Sequence, residues 1–419
     1  MNRRMRIGFI HRFDARNFRS WSGTFYFMAQ ALETHAGEVV YLGPDLTGGT
    51  EFIINCAYHV NRLLHKLTGK RWVTDHNRIL SWRLASVFKR RLEKSNCDIL
   101  FAPAASIEIA HLKTNLPIIY FSDITWADIV DYYPQYSSLS SFARAEGEHI
   151  EAAAFRRAAA AVYPSEWAMN GACNHYGASP EKTFKVSFGA NLAQVPSRED
   201  ALYHPLDGPV RLLTVGVDWE RKGGAIAFEC LTSLLERGVD AHLTICGCVP
   251  PKGFEHPNLH VIPFLDKNNV EQRQRISQLF LDSNFLLFPT RADATPIATC
   301  EASAHGLPTL VTDTGGTRGS IRDGVNGFLL PLEARGREYA DKIITVIASP
   351  DGYRELVIAS RDEFEQNLNW DTWGKSICEV MERVLGRKMD ASTRASTPSH
   401  DLAANSLLSD HCAQMSGLG

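Results

Sequence analysis

Two acidic residues stand eight positions apart in the stretch 288–330, Asp293 ahead of a short apolar run and Glu301 within it. The stretch reads as a strand end, a loop, a short helix, a strand, a glycine loop, a turn and a further strand. Pro296 suits the first helical turn, because the N–H that proline lacks would be unpaired there anyway. Gly306 suits the end of that helix, and Pro308 prevents its continuation. Ile297, Cys300 and Ala304 recur at helical spacing as one apolar stripe, with Glu301 at its edge. A carboxylate beside a buried face costs desolvation energy unless it has hydrogen-bonding partners, and the two hydroxyls of a ribose are suitable partners. The helix start between Asp293 and Ile297 presents unpaired N–H groups and the positive end of the helix dipole, which favour phosphate. Ribose at one end and phosphate at the other is the chemistry of a nucleotide diphosphate. A helix with an acidic N-terminal loop and an edge glutamate accounts for the same residues.

The elements that would position these groups are strands and helices in alternation. In the first half, RIGFI (6–10), VVYLG (39–43), DILFAPAA (98–105), PIIYFSD (117–123) and KTFKVSFGAN (182–191) read as strands, and AAVYPSEWAMNGACNHYG (160–177) as a further strand with a helix capped by Ser165. Between the first two, Phe25, Met28, Ala29 and Leu32 mark an amphipathic helix, with Gly23 just before it. There the backbone can approach a ligand closely, or the glycine simply turns the chain. The fourth strand delivers Asp123, and an aromatic loop, DYYPQYSSLS (131–140), follows. Pro, Ser and Asp cluster over 192–209, which reads as a linker. The second half repeats the grammar: VRLLTVGVDWERKGG (210–224) runs from a strand into a charged glycine loop, and AHLTICG, LHVIPF and FLLFPT are further strands. The expected fold class is therefore α/β, with two doubly wound, Rossmann-like domains of parallel strands. Sheets of this kind bind ligands at the carboxyl ends of their strands, so the two domains should face each other across a cleft. An N-terminal domain over 1–192 and a C-terminal domain over 210–367 are expected. A final helix follows, with Trp370, Trp373, Ile377, Val380, Met381 and Val384 on its apolar face. The Ser-, Thr- and Ala-rich tail 388–419 has no sustained periodicity and is expected to lack order.

Composition narrows the classes of function. A length of 419 residues allows two substantial cores, and a formal net charge of −3 gives no case for nucleic-acid binding. Nine scattered cysteines without CxxC pairs read as reduced thiols in a cytosolic setting. Cys246 and Cys248 have no partner pair or His cluster, which argues against a metal site. The start MNRRMRIGFIHRF fits a first strand rather than a signal peptide, and no apolar run approaches a membrane span. Residues 62–94 are locally basic with interleaved Ile79, Leu80, Trp82, Leu84, Val87 and Phe88. They read as one long helix with a solvated basic face, or as a surface that meets anionic lipid at the inner membrane face.

Taken together, these segments resemble glycosyltransferase family 4, retaining enzymes of the GT-B fold. FPTRADATPIATCEASAHGLPTLVTDTGGT resembles that family's acidic motif with two acids eight positions apart. VGVDWERKGG, which contains Gly216, resembles its phosphate-binding strand and loop; VYPSEWAMNGACNHYG with KTFKVSFGAN resembles the end of its N-terminal domain; and NWDTWGKSI resembles the closing helix that crosses back onto that domain. The pieces occur in the right order over most of residues 1–386. The resemblance implies that Glu301 holds the nucleotide ribose, that Asp293 contacts hydroxyls of the transferred sugar, and that the loop Ala294–Ile297, including Thr295, holds the diphosphate through backbone N–H groups. It implies that Lys222 neutralises the diphosphate as the leaving group takes charge. Arg221 is a candidate for the companion arginine, which in the family usually sits where Val217 stands here. Pro296 replaces a usual glycine and cannot donate a hydrogen bond. Asp123 stands where many relatives carry a histidine touching the donor sugar, although an aspartate there could also cap the following turn. Gly23 matches one of two first-loop glycines, Ser22 replacing the other. The resemblance further implies a nucleotide-diphosphate sugar as co-substrate, no cofactor or metal, and a saccharide, a lipid-linked glycan or a small metabolite as acceptor. Two other readings stay open: another GT-B enzyme such as a sugar-nucleotide epimerase, and a non-catalytic nucleotide-sugar-binding protein, the latter motivated by Val217, Pro296 and Asp123.

Overall fold

The computed structural model describes residues 4–18, 20–44 and 48–386. The tail expected to lack order lies outside the described residues. Two six-stranded sheets, parallel throughout, carry the fold. The first contains β1 (Arg6–Phe9), β2 (Glu38–Tyr41), β3 (Ile99–Pro103), β4 (Ile118–Phe121), β5 (Ala160–Tyr163) and β6 (Thr183–Lys185), in the order β2-β1-β3-β4-β5-β6. The second contains β7 (Val210–Val215), β8 (Ala241–Cys246), β9 (Leu259–Ile262), β10 (Phe285–Phe288), β11 (Thr309–Thr312) and β12 (Gly327–Leu330), in the order β12-β11-β10-β7-β8-β9.

Strands covered by helices on both faces have no solvated side, so they read as continuous apolar runs. Every residue of β3, β4, β5, β10 and β11 is buried. In the second sheet the chain runs outward from β7 through β8 to β9, then returns to place β10 on the other side of β7, with Leu212 opposite Phe285 and Leu213 opposite Leu286. The loops leaving β7 and β10 therefore diverge to opposite faces and leave a crevice at their carboxyl ends, the usual ligand position of such sheets.

The N-terminal core gathers Ile7, Phe9, Phe101, Phe121 and Phe188, and it is completed from the far end of the chain by Trp373, Ile377 and Met381 of the helix Trp370–Leu385. That helix lies against the helix Thr24–His35 so closely that a Cβ on Gly374 would come within 2.4 Å of the His35 ring. Cys300 and Ala304, from the short helix after β10, belong to the same cluster, so the two halves share buried apolar surface. A separate core, with Leu212, Ile226, Leu243, Phe285 and Tyr339, fills the second half. The helices Gly336–Ile347 and Pro350–Gln366, which the sequence reading did not name, close it on one side.

One expectation is corrected. The basic segment is not a single long helix but parts of two, Gly48–Thr68 and Arg78–Leu92. Gly69 turns left-handed at φ 69°, which glycine adopts without steric cost. Asn77 then starts the second helix, its side chain accepting the N–H of Leu80.

Candidate functional site

The loop after β7 brings two cations back over the crevice. A Cβ on Gly216 would lie 2.6 Å from Cγ of Lys222, so glycine leaves the passage through which the lysine runs. Lys222 Nζ donates to Asp293 Oδ2 at 2.5 Å and lies 4.5 Å from the centre of the Phe288 ring. Arg221 Nη1 is 3.5 Å from the same carboxylate oxygen and donates to the Ala292 carbonyl at 3.1 Å. The two neighbouring side chains thus converge on one buried acid, supplied by the loop after β10. Burial pushes the Lys222 amine below the ordinary lysine range, with Asp293 opposing the shift and Arg221 adding to it. Val217 is exposed and supplies no charge.

Beyond Asp293 the chain enters the helix Ile297–Ala304. Pro296 stands at its N-cap with φ −74° and ψ 115°, not in the first turn as expected, and no side chain caps the helix start. Extended ψ at the proline delays the helix by one residue. The Thr295 hydroxyl turns back to the Ala294 carbonyl at 2.6 Å, and Ile297 packs against the N-terminal core. Glu301 is 2% exposed and forms an ion pair with Lys267 through Oε1. A buried carboxylate without such a partner would be strongly disfavoured. Lys267 follows β9 and was not singled out in the sequence. A cation shortly after a strand's carboxyl end is the signal that also marks Lys222.

The N-terminal half contributes Asp123, just after β4. It does not cap the turn that follows: Ser122 Oγ donates to the Ile124 carbonyl at 2.7 Å, and Thr125 accepts the N–H of Asp128 at 3.3 Å. Burial, reinforced by the charge of Asp293 across the cleft, pushes the Asp123 carboxyl up to about 7, while hydrogen bonds from its own backbone N–H and from Trp21 oppose the shift. Gly23, at φ 90°, caps the helix Thr24–His35 after two left-handed residues, Trp21 and Ser22. No crowding demands glycine there, since a Cβ would meet nothing closer than 3.5 Å; the positive φ does.

Two further residues cross the cleft. The Tyr132 hydroxyl accepts the N–H of Asp293 at 2.8 Å and donates to the Asp293 carbonyl at 3.2 Å. The Tyr133 hydroxyl accepts the N–H of Ala294 at 2.7 Å, and its ring lies 5.5 Å from the Arg221 guanidinium. The sequence showed an aromatic loop here but nothing that assigned these contacts. The structure thus brings Asp293, Lys222, Arg221, Thr295 and Gly216 together, with the charge of Asp123 felt across the cleft. Glu301 stands one helical turn beyond Ile297, which itself faces the shared core.

Residues 209–349 match the family model described as Glycosyl transferases group 1. Among curated relatives, spore coat protein SA of Bacillus subtilis is 25% identical over 189 residues, covering 42% of this chain and 50% of that protein. The amylovoran biosynthesis glycosyltransferase AmsK of Erwinia amylovora is 25% identical over 204 residues, covering 44% of this chain and 46% of that protein. The chain spans about half the length of the curated relatives it matches. Among solved structures, HepE of Anabaena in complex with UDP superposes with a TM-score of 0.61 at 14% identity, over 90% of this chain and 100% of that one. The lipopolysaccharide outer core galactosyltransferase WaaB superposes with a TM-score of 0.59 at 14% identity, over 90% and 100%. The fold is GT-B: two parallel-sheet α/β domains facing one cleft.

Proposed function

We propose that this protein is a retaining glycosyltransferase that moves a sugar from a nucleotide-diphosphate sugar, docked on the C-terminal domain, to an acceptor held by the N-terminal domain. The observation that carries the reading is the meeting of Lys222 and Arg221 with Asp293 at the β7–β10 crevice, beside an uncapped helix start. Fixed cations and helix N–H groups are suited to a diphosphate whose charge grows as it departs, and in a water-poor cleft they lower the barrier. Lys222 exchanges its bond to Asp293 for the phosphate, which frees the Asp293 carboxylate for hydroxyls of the sugar. Glu301, held by Lys267, takes the ribose hydroxyls. The bond from the anomeric carbon to the diphosphate oxygen breaks, the acceptor oxygen bonds that carbon on the same face, and the acceptor proton passes to the departing phosphate oxygen. Asp123 faces the transferred sugar from the other domain. Lys222, Arg221 and the helix start supply the positive charge, so no divalent ion takes part. Proton NMR of the product formed in the presence of chelator tests both claims. The expected result is transfer with the donor's anomeric configuration kept; an inverted product, or transfer that appears only when magnesium is restored, would overturn them.

The acceptor side points to a membrane surface. On the helix Gly48–Thr68, Phe52, Cys56, Val60, Leu63 and Leu67 fall on one stripe at helical spacing and are all exposed, Phe52 by 69%, Leu63 by 60% and Leu67 by 73%. Arg62 and Lys66, on the same helix, have no ion-pair partner among the described residues. Uncovered apolar side chains beside free cations suit the boundary of an anionic bilayer. Among the described residues no helix is long and apolar enough to cross a membrane.

A further inference from the structure

We propose that Tyr132 and Tyr133 form a latch that occupies the diphosphate cradle in the empty enzyme and competes with the donor for it; this rests on the donor site proposed above. The loop 294–297 offers few donors. Pro296 has no N–H. The N–H of Ala294 is taken by the Tyr133 hydroxyl at 2.7 Å, and the neighbouring N–H of Asp293 by Tyr132 at 2.8 Å. Both tyrosines belong to the N-terminal half, 161 residues earlier in the chain, so these bonds also tie the halves together.

The C-terminal loop is shaped to receive them. Gly315 has φ 55°, and a Cβ there would fall 2.2 Å from the Tyr132 hydroxyl and 2.2 Å from the Asp293 carbonyl. Gly316 makes the same room one step on, since its Cβ would come within 1.7 Å of the Ala294 carbonyl. The glycine pair lets the Asp293 and Ala294 carbonyls pack against 315–316, where the Asp293 carbonyl accepts the N–H of Gly316 at 3.1 Å beside the Tyr132 hydroxyl. Thr314 Oγ1 lies 3.1 Å from the Tyr132 hydroxyl, and Trp167 packs on its ring at 5.3 Å between centres. The Arg221 guanidinium stands over Tyr133 while reaching Asp293, so the cation that would meet the phosphate is engaged by the same latch. A diphosphate entering the cradle displaces two hydroxyls that are already hydrogen-bonded, and the net gain per bond is smaller than the bond itself.

The double variant Tyr132→Phe, Tyr133→Phe keeps both rings and removes both hydroxyls. Hydrogen exchange on the peptide 290–297 of the empty protein is expected to accelerate at least tenfold at Asp293 and Ala294; unchanged exchange would overturn the latch without any ligand being involved. Calorimetric titration with UDP, GDP and ADP is then expected to show the preferred diphosphate binding the variant about fivefold tighter than wild type. Weaker or equal binding would mean that the tyrosines are donor contacts or bystanders, and would overturn the competition. If wild type binds none of the three, the donor site itself falls and the competition falls with it, whereas loss of the latch alone leaves wild-type binding intact.

Discussion

At the scale of single residues, the site is a set of charges whose partners are provisional. Lys222 holds Asp293 in the place proposed for a phosphate, and Lys267 holds Glu301. Asp123 is the exception, with burial and Asp293 holding its carboxyl near 7 and no cation opposing them. The folded protein therefore binds this proton more tightly than the unfolded chain, whose aspartate titrates near 4. A raised carboxyl favours folding only at low pH, and its cost to stability grows as pH rises from about 4 to about 7. Asp123→Asn, which cannot ionise, is expected to melt above wild type at pH 8, and the difference should narrow steadily as pH is lowered toward 4. Melting curves that run parallel across that range would contradict the assignment.

At the scale of elements, what could be read in the sequence follows from what each element needs locally. Parallel strands are buried on both faces, so β3, β4, β5 and β10 stand out as unbroken apolar runs. The helix carrying Glu301 was legible from its stripe and from Gly306, which takes φ 65° just past its end. Its first residue was misplaced by one because a proline before a helix and a proline in its first turn look alike in sequence. Tyr132, Tyr133 and Lys267 were illegible as site residues because their partners lie in other elements, and no local pattern encodes a contact made across the cleft. Residues 62–94 look like one helix for a different reason: basic residues run on through Lys70 and Arg71 and so hide the break that Gly69 makes between Gly48–Thr68 and Arg78–Leu92. The uncovered stripe of Gly48–Thr68 leads to a test at the same scale. The protein is expected to sediment with phosphatidylglycerol vesicles and not with phosphatidylcholine vesicles, and Leu63→Glu with Leu67→Glu should lower the bound fraction at least tenfold. Equal binding by the variant, or none by wild type, would remove the membrane surface from the account.

At the scale of the whole molecule, the fold places its chemistry at a boundary. The last helix returns to the first domain, the helix after β10 buries Cys300 and Ala304 in that domain's core, and two tyrosines cross in the other direction. The crevice proposed for the donor is thus built on one sheet but completed by the other, which suits a reaction between two substrates carried on separate domains. The claim at the centre is that the crevice between β7 and β10 binds a nucleotide-diphosphate sugar through Glu301. Thermal denaturation against a panel of UDP-, GDP- and ADP-sugars tests it most directly. At saturating ligand, a site of this kind raises stability by about 3 kcal/mol or more, so one base class is expected to raise the melting temperature by several degrees. The same ligand should produce little or no shift in Glu301→Ala. No shift with any nucleotide sugar, or an equal shift in the variant, would contradict the account.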